Sequence, residues 1–276
     1  MFKRIYVEIT NACNLNCFFC TQDNLAKRHM KLSEFQIVLN NIKNYTREIY
    51  LHVKGEPLLC NEIDQFIAKA HDEKINVNIT TNGRLLLQKY DKLIQKQVKR
   101  FNVSMHSFYP LDKEELYRML NDLYLFITKY HQIYPNTFFS LRLWANTNKK
   151  ISQNNDQIVS YLQKIFNCDK IINNRLKNYV ILSHDEEFVW PSLDSSFYET
   201  IGSCRGGRDQ LAILVDGTVC ICCLDSKGTS NLGNIYQESL KEILSKPKYI
   251  EAVKGFQNNK LQLSICRHCS YRKRFE

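Results

Sequence analysis

The sequence predicts an α/β protein built from parallel β/α units. Short β-type runs alternate with runs of helical period, an order that implies parallel strands joined by helical crossovers. The β-type runs lie at 4–10, 48–54, 75–80, 100–106, 138–145 and 178–184. Along most of them the side chains alternate polar and apolar, so one face of the sheet is polar.

Each element has its own local warrant. The first run sets Tyr6, Glu8 and Thr10 against Ile5, Val7 and Ile9. Phe35, Val38, Leu39 and Ile42 then form a helical stripe, with Ser33 and Gln36 in capping-box spacing at its start. The second run places His52 and Lys54 opposite Leu51 and Val53, and Ile63, Phe66, Ile67 and Ala70 form the next stripe. Asn76, Asn78 and Thr80 alternate in the third run, and Asn102, Ser104 and His106 in the fourth. After the stripe Leu116, Leu120, Leu123 comes the fifth run, with Ser140, Arg142 and Trp144 on its polar face. The polar stretch 146–156 reads as a loop leading into a fifth helix. Parallel sheets covered on both sides are usually apolar throughout, so a polar face implies a lumen that houses a polar ligand. The alternative is an antiparallel sheet with that face in solvent.

At 276 residues the chain has material for one substantial core and a small cap. The expected division is 1–184, a connector at 185–203, and a cap at 204–276 made of a β-hairpin plus a helix around 237–246. Asp216-Gly217, between ILV and TVCI, is a two-residue hairpin signal. No apolar run approaches a membrane span. The net charge of +10 is diffuse apart from the tail YRKRF, which argues against a nucleic-acid substrate. The N-terminus lacks a secretory pattern, so a cytoplasmic protein with free thiols is expected.

Seven of the eleven cysteines form two sets. Cys13, Cys17 and Cys20 stand in Cys-x3-Cys-x2-Cys spacing directly after the first run. Three thiolates so close suit three irons of a [4Fe–4S] cube and leave the fourth iron open. A zinc knuckle would want a fourth ligand, and the nearest candidate is His29. The second set is Cys204, Cys222, Cys266 and Cys269, with Gly217 four residues before Cys222. Cys220 or Cys223 would serve in place of Cys222 in another register, and structural zinc is the alternative occupant. Cys60 and Cys168 read as ordinary buried thiols.

The segment CNLNCFFC, with Phe19 before its third cysteine, resembles the signature of radical S-adenosylmethionine (radical SAM) enzymes. That resemblance implies a partial (β/α)6 TIM barrel and an open iron that chelates SAM. It also implies reductive cleavage of SAM to a 5′-deoxyadenosyl radical, with electrons from a donor such as flavodoxin or ferredoxin. KGEP (Lys54 to Pro57) resembles the family's GGEP element, so Glu56 would accept a hydrogen bond from SAM's amino group. Thr80, Thr81, Asn82 and Gly83 resemble the loop near SAM's methionine, and Ser104 and Arg142 fall at positions that contact ribose or carboxylate. The four later cysteines resemble the abbreviated "twitch" form of the SPASM domain, which implies a closed second [4Fe–4S] cluster.

The run YLHVKGEPLL, the NITTNG loop and the single-cluster cap are most similar to the queuine lyases of queuosine salvage. The implied substrate is a small 7-deazapurine whose C–N bond breaks to release 7-aminomethyl-7-deazaguanine. Lys54, His52 or His106 would protonate the leaving amine, Trp144 would stack on the base, and Asp185 and Glu187 would read its guanine-like edge. Few residues flank the two cysteine sets, which also favours a small molecule. One rival reading is a maturase making thioethers, cross-links or epimers in a ribosomally made peptide. Another is a metal-binding protein without turnover.

Overall fold

The computed structural model of the protein describes residues 1–21, 25–109, 111–145 and 149–275. In chain order the elements begin with β1 (Arg4–Val7), α1 (Leu32–Ile42), β2 (Glu48–Tyr50), α2 (Ile63–Asp72), β3 (Asn76–Thr81) and α3 (Tyr90–Leu93). There follow β4 (Arg100–Ser104), α4 (Lys113–Ile133), β5 (Phe138–Ala145), α5 (Lys149–Ile165), β6 (Arg175–Lys177) and β7 (Val180–Glu186). The last part holds β8 (Gln210–Ile213), β9 (Thr218–Cys220), β10 (Gly233–Asn234), α6 (Leu240–Ser245), α7 (Pro247–Gln257) and α8 (Ser264–Arg267). The six expected runs are β1, β2, β3, β4, β5 and β7, the fold is α/β with a mostly parallel sheet, and among the described residues no helix is long and apolar enough to cross a membrane.

The chain forms two compact units. One comprises residues 1–60, 69–76 and 188–276; the other comprises 61–68 and 77–187. In the first unit β1 lies between β2 and β8 and is parallel to both, with Ile5 opposite Ile49 on one side and Leu211 on the other. β9 and β10 continue the ladder antiparallel. The C-terminal segment thus extends the same sheet as the first strand. Its hairpin loop has three residues rather than two. Leu214 N–H donates to Thr218, Gly217 N–H donates to Leu214, and Gly217 takes a φ of +86°, the left-handed position that follows a type I turn.

In the first unit two strand ends fall earlier than the alternation suggests. β1 stops at Val7 because Thr10 turns its hydroxyl to the backbone, accepting from Ala12 N–H and donating to Arg28 carbonyl. β2 stops at Tyr50, so His52 and Lys54 lie in a loop that ends at Gly55 (φ +73°) and a 3-10 turn begun by Pro57. α1 buries Phe35, Val38, Leu39 and Ile42 as its stripe requires. It starts two residues earlier than the Ser33–Gln36 pair suggests, with Lys31 as N-cap, because Glu34 accepts from Lys31 N–H while Gln36 is bonded to Asn40, Glu73 and Lys69.

Glu8 lies at the end of β1 and is 2 % exposed. Its carboxylate accepts from the backbone N–H of Lys54 at 2.9 Å and of Val215 at 3.2 Å, joining the strand, the KGEP loop and the hairpin turn. Burial pushes its pKa up from 4.5 to about 7, and the two N–H donors pull the other way.

In the second unit β3, β4, β5 and β7 are parallel neighbours, with β6 antiparallel at the edge. Phe101 is fully buried, stacked on Phe139 at 5.1 Å and edge-on to Phe126 and Tyr130. Asn78, Asn102 and Ser140 are buried, as are Val77, Ile79, Phe101, Phe139 and Leu141 beside them, so the strands are covered on both faces. β4 ends at Ser104, and a 3-10 turn over Met105–Phe108 takes His106 off the strand. Of the expected loop 146–156, residues 146–148 lie outside the described residues and 149–156 are helical. The polar residues there occupy the outer face of α5, which buries only Ile158 and Leu162.

Two tests follow. Phe101→Ala empties the centre of an aromatic cluster and is expected to cost about 3–5 kcal/mol, read from the denaturant midpoint. For Glu8 the folded chain holds its proton to higher pH than the unfolded chain does. Stability therefore falls as pH rises from about 4.5 through about 7, by on the order of 3 kcal/mol. In Glu8→Gln the slope of melting temperature between pH 5 and 7.5 should flatten, whatever its absolute stability; an unchanged slope would assign the dependence to other groups.

Candidate functional site

The first cysteine set sits on a loop whose two ends are fastened together. Met30 N–H donates to Ile9, Arg28 N–H to the Asn11 side chain, and the Asn11 amide to Ala26. Gly55 presses against the loop's start, where a Cβ would come within 2.2 Å of the Thr10 carbonyl, and Glu56 N–H donates to Ala12 at 2.8 Å. Only glycine permits that approach and that φ. Within the loop Cys13 is exposed, and Cys17 and Cys20 are half-buried. Cys20 N–H donates to Cys17 carbonyl, Leu15 N–H donates to Cys13 Sγ, and Phe19 lies edge-on to Phe18. The nearby Cys60 is buried, with its Sγ 3.5 Å from His29 Nδ1.

Glu56 is 1 % exposed and caps the 3-10 turn through Leu58 N–H. Lys54 is held at its backbone by Glu8. His52 lies edge-on to Tyr6 and beside Tyr50. The KGEP residues and the cysteine loop therefore belong to one bonded assembly.

The second unit holds the remaining expected residues. Asn102 donates to Thr80, and Asn82 accepts from Arg84 N–H at the turn after β3. Ser104 stands across from Arg142, and Trp144 across from Asp185. Glu187 lies just past β7 and is exposed. His106 stacks on Trp144 at 4.1 Å, so one face of the indole is already covered by an imidazole. Burial, and then the Arg142 guanidinium, push the His106 pKa down to about 3. It is neutral at pH 7, so the expected protonated role does not fall to His106.

Cys204, Cys222, Cys266 and Cys269 line one cavity in the first unit, together with Asp225 and Arg272. Cys222 takes this position; Cys220 packs in the core beside Tyr6 and Ala212, with Cys223 against that cluster. Burial pushes the Cys222 and Cys266 thiols well up; Cys223 and then the rest of the set raise Cys222 further, and Cys204 and Cys269 raise Cys266. Cys269 is pushed up to about 11, mainly by burial. Four thiols around one cavity, Cys266 buried and the other three half-buried, each with its pKa raised by desolvation, favour a cationic occupant whose binding releases their protons. The four thiols stand around this one cavity. An all-thiolate donor set of this kind fits an iron–sulfur cube.

The sequence alone assigns no role to Glu8, Gly55 or Arg272, which the structure places at the KGEP loop and the thiol cavity. Glu8 was readable only as one polar residue of an alternating strand, Gly55 as part of KGEP, and Arg272 as part of a basic tail.

Residues 7–133 match the Radical SAM superfamily, and residues 204–270 match SPASM, an iron-sulfur cluster-binding domain. A protein of Methanocaldococcus jannaschii described as a probable GTP 3′,8-cyclase is 32% identical over 122 residues; this is 43% of the chain and 40% of that relative. The chain thus spans well under half the length of that relative. Among solved structures, BtrN in complex with AdoMet and 2-DOIA has a TM-score of 0.62 at 16% identity, covering 98% of this chain and 93% of that one. Streptococcus suis SuiB bound to precursor peptide SuiA has a TM-score of 0.62 at 14% identity, covering 99% of this chain and 72% of that one. At these identities the likeness is one of fold. The chain carries a radical SAM domain, whose cofactors are a [4Fe–4S] cluster and SAM, followed by a SPASM iron–sulfur cluster-binding domain.

Proposed function

We propose that the protein is a radical SAM enzyme acting on a small molecule with a guanine-like base, and specifically a queuine lyase that releases 7-aminomethyl-7-deazaguanine. The observation that carries the radical SAM reading is the coincidence of each cysteine set with its own domain match. When bound and reduced, the first cluster with SAM supplies a 5′-deoxyadenosyl radical that takes a hydrogen atom from substrate.

In this reading Cys13, Cys17 and Cys20 ligate that cluster, with Phe19 beside them. The fastened ends of their loop hold the three thiolates in place. Glu56, fixed by its place at the 3-10 turn, accepts from SAM's amino group, and Arg142 binds a carboxylate by charge. Thr80, Asn82 and Ser104 complete the polar contacts. Lys54 protonates the departing amine, with His52 as the second candidate. Trp144 offers its remaining face, and Asp185 with Glu187 accepts from the guanine-like edge. Cys204, Cys222, Cys266 and Cys269 hold the second cluster, and a flavodoxin or ferredoxin supplies electrons.

The substrate class is supported by two likenesses. The relative that matches the N-terminal part is named for GTP, whose base offers the same hydrogen-bonding edge as a 7-deazaguanine. BtrN, matched over nearly its whole length, is described with the small molecule 2-DOIA. The second reading, a peptide maturase, is favoured by the likeness to SuiB with its precursor peptide.

Mass spectrometry on anaerobically reconstituted protein with SAM and dithionite separates these readings. With queuine, 5′-deoxyadenosine and 7-aminomethyl-7-deazaguanine are expected together, and Cys17→Ala should abolish both. Deoxyadenosine without the deazaguanine would keep the radical enzyme and remove queuine. The same assay with GTP and with a precursor peptide would then find the substrate. Neither product from protein with intact clusters would refute the reading as a whole.

A further inference from the structure

We propose that Arg272 is the buried counter-cation of the cluster held by Cys204, Cys222, Cys266 and Cys269, and that it sets that cluster's reduction potential; this rests on the iron–sulfur reading above. Arg272 is 1 % exposed and heads the fully buried side chains by size. It lines the same cavity as the four thiols. A guanidinium is costly to bury there unless negative charge compensates it.

Glu199 is one partner of that charge. Its carboxylate pairs with Arg272 but is 35% exposed, and it also pairs with Lys273 at 2.8 Å. One negative charge is thus shared between two cations, and solvent screens it. Asp225, the acidic side chain in the lining, is 2 % exposed and is held by the N–H groups of Thr229 at 2.8 Å and Ser230 at 2.6 Å. A cube held by four thiolates is anionic and becomes more so on reduction. With Asp225 also in the wall, reduction adds charge to a site that already holds an anion. Arg272 is the cation in the lining that offsets it.

The backbone around Arg272 acts in the same sense. Cys269 accepts from the N–H groups of Arg272 and Tyr271, and Cys204 from those of Gly206 and Arg205. Hydrogen bonds to cluster sulfurs stabilise the reduced state. The 3-10 turn that carries Arg272 is pinned from outside. Arg274 lies 4.6 Å from the centre of the Tyr271 ring, and Arg205 lies 5.1 Å from that of Phe275. The tail YRKRF is therefore not uniformly a surface charge run, since Arg272 faces inward while Lys273 is exposed.

The test is redox-poised EPR on the fully loaded chain, with the tetrad signal identified in the Cys13→Ala/Cys17→Ala/Cys20→Ala background. Arg272→Met should lower the reduction equilibrium constant at least tenfold, a fall of about 59 mV in midpoint. Glu199→Gln leaves the guanidinium less compensated and should shift the midpoint upward, while Arg272→Lys should keep most of the native value. Opposite shifts separate charge from damage, because a loosened cavity would move both variants the same way. Unchanged midpoints in both variants, or shifts of the same sign, overturn the proposal. If Arg272→Met does not take up iron, Glu199→Gln decides: an upward shift sustains the proposal and none overturns it. No tetrad-dependent iron in the native chain would refute the iron–sulfur reading and this inference with it, whereas a cluster with unmoved potential refutes this inference alone.

Discussion

The carboxylate of Glu8 is the constraint on which the first unit is organised. A buried acid must find donors, and the two it finds come from residues 46 and 207 positions away. Meeting them places the KGEP loop and the SPASM hairpin against the strand that delivers the chain to the first cysteine set. The parallel pairing of β1 with both β2 and β8 repeats this arrangement in the backbone. Both cysteine sets consequently belong to one compact unit, although they stand at opposite ends of the sequence.

The strands were legible because alternation reports which face a side chain takes, and each run has it locally. Their ends were less legible, since they depend on single side chains that bond the backbone: Thr10 ends β1, and the Gly55 turn follows β2. Partners were not legible at all. Nothing local to residues 210–213 says that they will pair with 4–7, because pairing across that distance has no signature beyond the β pattern itself. Within 146–156 the helix start signals lead into α5, and residues 149–156 are helical rather than looped, because a helix with a narrow apolar stripe reads as polar along its whole first turn.

The candidate site divides in the same way. The cysteine spacings are dictated by the size of what they bind, so they could be read directly. Protonation could not be, because it depends on burial: His106 has an ordinary titration in sequence and a pKa of about 3 once packed between Trp144 and the Arg142 charge. Arg272 shows the same limit. One of several basic residues in a tail becomes, after folding, a charge inside a cavity of thiols. Its neighbour Lys273 has the same charge and stays in solvent.

The measurement that tests the two-cluster architecture most directly is Mössbauer spectroscopy, with iron and zinc analysis, on anaerobically reconstituted native chain and on two set-deletion variants. One variant replaces Cys13, Cys17 and Cys20 with alanine, and the other replaces Cys204, Cys222, Cys266 and Cys269. If each set holds its own cube, the native chain carries the sum of two [4Fe–4S] spectra and each variant keeps the one whose ligands remain. Native iron equal to that of a single-set variant, or zinc in the later four cysteines, would contradict it.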